Sequence, residues 1–350
     1  MKAPLLFYII TNAMKKLLCV AIFLCCFQVS FTQPTLLELV EEGVEFHQAG
    51  DYEKSIERYK EALKIDPNSS MVLYEISYSY LRNNQLEKAL SYADRVLAMD
   101  DENKRLAYMV KGAALDLMGK TAESNVLFEQ AIQETGPHHL FYYNMGFNYF
   151  KANDDVNSEK NLLLALELNP YHTTSHFLLS QIHNYRGNKV QAKLAALFFL
   201  ILEPDSSRSL DALEIIERNT SGHVKVDEDK PNTININLSP KENDPFGPAE
   251  MMMSLLEASK TLDKNEGKTK QELFIEHTES FFKVLGELNK DKPEDIWWGF
   301  YIPFFYDLAK SEHLATYCMY ITYIDDNEAL LWLQNNEEKL DAFGNWFESR

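Results

Sequence analysis

The sequence predicts an all-α protein: a helix-turn-helix solenoid of five repeats, a small β-hairpin or linker, and a C-terminal helical domain. Three observations carry this reading. A small residue recurs at Gly43, Ser77, Gly112, Gly146 and Ser180, at spacings of 34, 35, 34 and 34. A second small residue keeps step with it, at Ser55, Ala89, Ser124, Ser158 and Ala192. A period in this range with small residues at fixed phase marks stacked helix pairs. Beyond a turn-rich join at Asn243–Pro248, the apolar residues return at helical spacing, and all four tryptophans stand there.

The chain opens with a segment of a different kind. Lys15 and Lys16 precede the apolar run Leu17 to Phe27, and Ser30, Thr32 and Gln33 follow. A charged start, a short apolar run and a small-residue exit describe a secretory signal peptide over 1–32, with cleavage expected before Gln33. The run is shorter than the roughly 20 residues of a membrane span. An uncleaved anchor and a lipoprotein are the rival readings, and the start stands at Met1 or Met14. Cys25 and Cys26 follow Leu24 rather than Gly or Ala, which fits a lipoprotein signal poorly.

The solenoid is expected over 33–218, with the repeats at about 36–206 and a capping helix at Ser207–Arg218. Three residues after each first small residue stands Phe46, Tyr80, Leu115, Tyr149 or His183. That spacing puts the two on one helical face, the small one admitting the second helix and the larger one filling the space beside it. The second helices carry Ser55, Tyr59 and Ala62; Ala89, Ala93 and Val96; Ser124, Phe128 and Ala131; Ser158, Leu162 and Ala165; Ala192, Ala196 and Phe199. Pro67, Pro137, Pro170 and Pro204 close most units, since proline stops a helix.

At these residues the chain resembles the tetratricopeptide repeat family. The tryptophan often found early in that motif is replaced by Leu39, Leu73, Tyr108, Tyr142 and His176. The resemblance implies that the first helices line a concave groove that binds a protein or peptide partner. The groove positions it implies are Tyr74, Tyr78, Arg82, Met109, Tyr143, Phe147, Lys151, Phe177, Gln181 and Tyr185. Aromatic residues with a polar handle suit such a surface. Val40 and Val44 occupy the first unit's matching places, so the version of the family that clamps a terminal carboxylate is not supported.

Residues 219–245 read as a hairpin or linker. His223–Val226 and Thr233–Leu238 alternate as strands do, with Asp227–Asn232 and its Pro231 as the loop between them. The C-terminal helical domain is expected over 246–350, with helices at 249–262, 269–289, 293–310, 312–323 and 327–347. Pro293 suits a first turn, and Pro303 is expected to kink or split its helix. The aromatic run from Trp297 to Tyr306 is too dense for one helical face, so it is buried on two sides or meets a partner. The join Asp244–Glu250 and the tail resemble Bacteroidota-type proteins that pair a signal peptide and such repeats with a helical tail. That resemblance implies an exported protein of a Gram-negative cell, in the periplasm or cell envelope or secreted, and no activity.

Charge and chemistry narrow the function. The net charge is −19, and loss of Lys2, Lys15 and Lys16 with no acid leaves −22. This disfavours nucleic acid and anionic membrane surfaces as partners. Only Cys318 lies outside the leader, so no intrachain disulfide is expected. Phosphate-binding glycine loops, His-Glu-x-x-His and Gly-x-Ser-x-Gly are absent from the sequence. His138, His139, His172, His176 and His183 cluster, but His176 falls on a packing position, and no metal or cofactor site is expected. Asp154-Asp155 and Asp325-Asp326 read as turn or helix-start acids. The expected function is a non-catalytic scaffold binding a protein segment. The alternatives are a structural envelope component whose groove its own tail fills, and an enzyme with its site in the C-terminal helices.

Overall fold

The computed structural model describes residues 34–350 apart from 100, 222–223, 228–229, 237–243, 261–264, 266 and 289–294. The expected signal peptide and Pro293 lie outside the described residues. The chain divides between Ala107 and Tyr108 into two compact units.

The first unit holds α1 (Leu36–Gln48), α2 (Tyr52–Ile65), α3 (Ser70–Arg82), α4 (Leu86–Leu97) and the first turn of α5 (Lys104–Leu117). Thr35 starts α1 through a reciprocal cap: Glu38 N–H donates to Thr35 Oγ1 at 3.2 Å, and Thr35 N–H donates to Glu38 Oε2 at 2.7 Å. Asp51 caps α2 by accepting from Lys54 N–H at 3.2 Å. Leu73, Ala93, Val96 and Ala107 share a core.

The second unit continues α5 and adds α6 (Thr121–Thr135), α7 (His139–Lys151), α8 (Asp155–Leu168), α9 (Thr173–Tyr185), α10 (Lys189–Leu202) and α11 (Ser207–Ser221). After the strands come α12 (Gly247–Ser259), α13 (Lys270–Leu288), a π-helical turn (Trp297–Tyr301), α14 (Ile302–Lys310), α15 (Leu314–Thr322), α16 (Asn327–Gln334) and α17 (Glu337–Glu348).

The in-phase small residues mark where paired helices meet. A Cβ on Gly43 would lie 2.3 Å from the Tyr59 ring, and one on Gly112 would lie 2.2 Å from the Phe128 ring. On Gly146 it would stand 3.0 Å from Leu162 Cγ. The glycine therefore faces the bulky residue of its own partner helix, sixteen positions on. The second small residue ties the pair together: Ser124 Oγ donates to Gly112 O at 2.9 Å, and Ser158 Oγ donates to Gly146 O at 2.8 Å. Between the helices of each pair stands one residue of left-handed backbone: Gly50, Asn84, Gly119, Asn153 and Gly187, with φ of 79, 55, 77, 56 and 69°. These positions also recur at spacings of 34, 35, 34 and 34. Glycine and asparagine are the residues that enter this region at least cost.

The strands β1 (Val224–Asp227) and β2 (Lys230–Ile236) pair antiparallel, with Val224 opposite Ile236 and Val226 opposite Ile234. Pro231, placed in the loop by the sequence, lies inside β2. The sequence also sets a domain boundary at 219–245, yet one core runs across it, from Leu162 through Phe198 to Phe343. The reason is α10, whose residues Ala192 to Ile201 are all buried and need cover on every side. Phe198 meets Phe300, Phe304 and Phe305 at 4.9, 5.1 and 6.3 Å. Tyr317 Oη and Tyr320 Oη each donate to carbonyls of α10, those of Leu197 and Ile201, at 3.4 Å. The dense aromatic run is thus buried on two sides.

Two expected helices are divided. Pro303 sits in the first turn of α14, and the π-helical turn before it absorbs the steric demand of its ring. The helix expected over 327–347 breaks at Asn335 and Asn336. Their side-chain amides donate to the carbonyls of Leu331 and Trp332, at 2.7 and 2.8 Å, in competition with the backbone ladder.

Candidate functional site

In the first unit, Tyr74, Tyr78 and Arg82 stand one turn apart on α3. Tyr74 and Tyr78 stack at 6.1 Å with their planes 3° apart. Tyr78 stacks in turn on His47 of α1, at 4.8 Å. Arg82 is exposed; its Nη1 donates to Tyr78 Oη at 3.4 Å, and its guanidinium lies 5.7 Å over the ring of Tyr52. The spacing rule missed His47 and Tyr52. His47 is fixed by a contact distant in sequence, its Nδ1 lying 2.8 Å from Ser79 Oγ. Burial, and then the charge of Arg82, hold the His47 pKa below its ordinary value, so the ring stays neutral beside the guanidinium.

In the second unit, Tyr143, Phe147 and Lys151 repeat the pattern on α7. The rings stack at 6.2 Å. Lys151 is exposed, lies 5.0 Å over Phe147 and pairs with Asp116. Tyr143 also meets His172 at 4.6 Å. Both Tyr143 and Phe147 are half-buried against the core of this unit. Burial raises the Tyr143 pKa, so its hydroxyl remains a donor.

The remaining expected groove residues are not brought into that arrangement. Met109 and Gln181 are half-buried on α5 and α9. Tyr185, 85% exposed, is the most solvent-facing large apolar side chain among the described residues. Phe177 is a correction to the open-groove expectation. It is buried, packs on Phe199 at 4.9 Å, and has Arg208 5.5 Å from its ring.

The histidine cluster is likewise settled by packing. His176 Nε2 donates to Pro170 O at 2.7 Å, which leaves Nδ1 to accept from Tyr301 Oη at 2.5 Å. Both nitrogens are used, so neither is free for a metal. Among the described residues no group of three or more His, Cys, Asp or Glu side chains could hold a metal ion. Asp154 and Asp326 cap α8 and α16 by accepting from backbone N–H groups. Cys318 is buried, and burial pushes its thiol pKa up. No helix of the described residues is long and apolar enough to cross a membrane.

Residues 43–84 match the family model of the TPR repeat. The match runs from the glycine that admits Tyr59 to the left-handed asparagine after α3. Photosystem I assembly protein Ycf3 of Prochlorococcus marinus is 30% identical over 101 residues, covering 26% of this chain and 58% of that protein. Tetratricopeptide repeat protein 28 of Mus musculus is 29% identical over 100 residues, covering 28% of this chain and 4% of that protein. The chain thus spans less than two thirds of either relative. The crystal structure of a thermophilic TPR protein from Thermus thermophilus aligns with a TM-score of 0.45 at 17% identity, over 52% of this chain and 99% of that one. TPR proteins are generally non-catalytic scaffolds for protein interaction.

Proposed function

We propose that the chain is an exported, non-catalytic scaffold of the cell envelope that holds a protein segment against its first-helix faces. The observation that carries this reading is the recurrence, once in each unit, of two stacked aromatic rings followed one turn later by an exposed cation. Tyr74, Tyr78 and Arg82 form it in the first unit, and Tyr143, Phe147 and Lys151 in the second. Stacked rings offer apolar area with little side-chain entropy left to lose, and Arg82, held by the Tyr78 hydroxyl and the Tyr52 ring, suits a carboxylate of the segment, whereas Lys151 is already paired with Asp116. Met109, Gln181 and Tyr185 are further contacts on this reading.

Capture from an envelope extract with the full chain as bait tests it. Tyr74→Ala with Tyr78→Ala, and Tyr143→Ala with Phe147→Ala, should each reduce capture of the same partner. Undiminished capture by both double variants sinks the proposal. Export is tested separately, by sequencing the N-terminus of the protein recovered from envelope fractions. Gln33 is the expected first residue.

A second reading has a specific observation in its favour. Tyr301 of the tail packs on His176 of α9, and Tyr143 and Phe147 are half-buried against the core that the tail shares, as a structural envelope component with a self-filled face would have it. On that reading no partner is captured through α7.

A further inference from the structure

Within the second unit a cavity of about 320 Å³ lies among α10, α11, α12, α13 and the end of α15. Its rim carries the exposed Glu217, Lys270 and Asp325, while Lys193, Gln271 and Thr278 in its wall are buried. Leu213, Ile216, Leu273 and Phe274 supply apolar surface. Its volume falls at the lower end of small-molecule sites, which run from about 300 Å³.

The charges of the wall are not equally satisfied. Glu257 Oε2 stands 2.7 Å from Lys260 Nζ as an ion pair, although this buried oxygen, like Gln271 Oε1, accepts no aligned hydrogen bond. Asp326 accepts from Gln271 Nε2 at 2.9 Å and from Glu328 N–H at 2.8 Å. Lys193 is only 4% exposed, and its partners are neutral: Thr220 Oγ1 at 3.3 Å and the Phe281 ring at 4.6 Å. No carboxylate is paired with it among the described residues. A buried ammonium with no carboxylate in direct contact is costly, even with Glu257 acting on it from a distance, and an anion that reached it would offset that cost.

We propose that this cavity binds a small organic monocarboxylate, its carboxylate on the Lys193 ammonium and its apolar body against Leu213, Ile216, Leu273 and Phe274. The site is separate from the first-helix faces and does not rest on the scaffold reading. Burial holds the Lys193 pKa down to about 8, with Lys260 lowering it further and Glu257 and Cys318 opposing. A strongly hydrated dianion suits the wall less, because four acids, Glu217, Glu257, Asp325 and Asp326, line it.

Titration calorimetry of the full chain with hexanoate, and with 1-hexanol as the uncharged control, tests the proposal. Saturable hexanoate binding is expected, with hexanol much weaker. Lys193→Met keeps the volume and removes the charge, and should weaken hexanoate roughly ten- to a hundredfold while leaving the circular dichroism unchanged. Absence of hexanoate binding overturns the proposal, as does equal affinity for the alcohol or undiminished affinity in the folded variant. If Lys193→Met does not fold, Leu213→Trp decides. It fills the cavity and is expected to abolish binding, and retained affinity overturns the site.

Discussion

Tyr301 and His176 stand 125 positions apart, and their hydrogen bond joins the tail to α9. The bond specifies one tautomer of a fully buried imidazole. Burial lowers the His176 pKa to about 3, against an ordinary value of 6.5. The unfolded chain therefore takes up a proton between these values that the folded chain refuses. Stability from this group is complete above pH 6.5 and is lost as pH falls toward 3. Ring chemical shifts of His176 measured by NMR should stay those of a neutral imidazole from pH 7 to below pH 4, and protonation near pH 6 counts against the buried geometry. Tyr301→Phe removes the donor and leaves Nδ1 unsatisfied, so it should cost about 1–3 kcal/mol in denaturant unfolding. None of this was legible in the sequence. His176 occupies a phase where the repeat puts a core residue, which announces burial, but nothing local points to a tyrosine beyond the hairpin.

At the scale of helices, the steric logic was open to reading. A small residue that must admit a neighbouring helix leaves a trace in every repeat, because substitution there is punished by hard contact. The structure grades that punishment. A methyl on Gly112 would meet the Phe128 ring at 2.2 Å, whereas on Gly146 it would meet Leu162 at 3.0 Å. Alanine also returns about 1 kcal/mol of helix propensity. Gly112→Ala should therefore destabilise by about 1–2 kcal/mol net, and Gly146→Ala should lie near neutral. Gly146→Leu overpacks the same contact and should cost about 2–4 kcal/mol. Denaturant midpoints of the three variants check the order, and an inverted order refutes the assigned contacts. Ser158→Ala should cost about 1 kcal/mol through its lost bond to Gly146 O. The breaks at Asn335 and Asn336 were harder to foresee, since a helical apolar pattern runs through them and the competing bonds are the asparagines' own.

On the scale of the molecule, what escaped the sequence is what the tail is for. Its helices were legible from periodicity, but periodicity says which face is apolar and not what that face meets. The density of Trp297–Tyr306 pointed to two-sided burial or a partner, and α10 supplies the second side. Which rings share a helix face was legible where it depends on helical spacing alone, as with Tyr74 and Tyr78, and with Tyr143 and Phe147. Phe177 followed the same spacing and is buried, because its surroundings include Phe199 and Arg208, which the spacing rule does not consult. A chain truncated before Asp244 loses the cover of Phe198. It should associate or precipitate, as read by light scattering, while the full chain stays dispersed.

The complete burial of α10 bears on how the protein is made. Synthesis delivers α10 about 100 residues before the π-helical turn and about 150 before the end of α17. At roughly 5–20 residues per second, the most apolar helix among the described residues waits on the order of ten seconds for its cover to exist. The same delay recurs, at the pace of translocation, if the chain crosses a membrane unfolded. Whatever attends the nascent chain must therefore shield Leu194 to Ile201 until the C-terminus arrives.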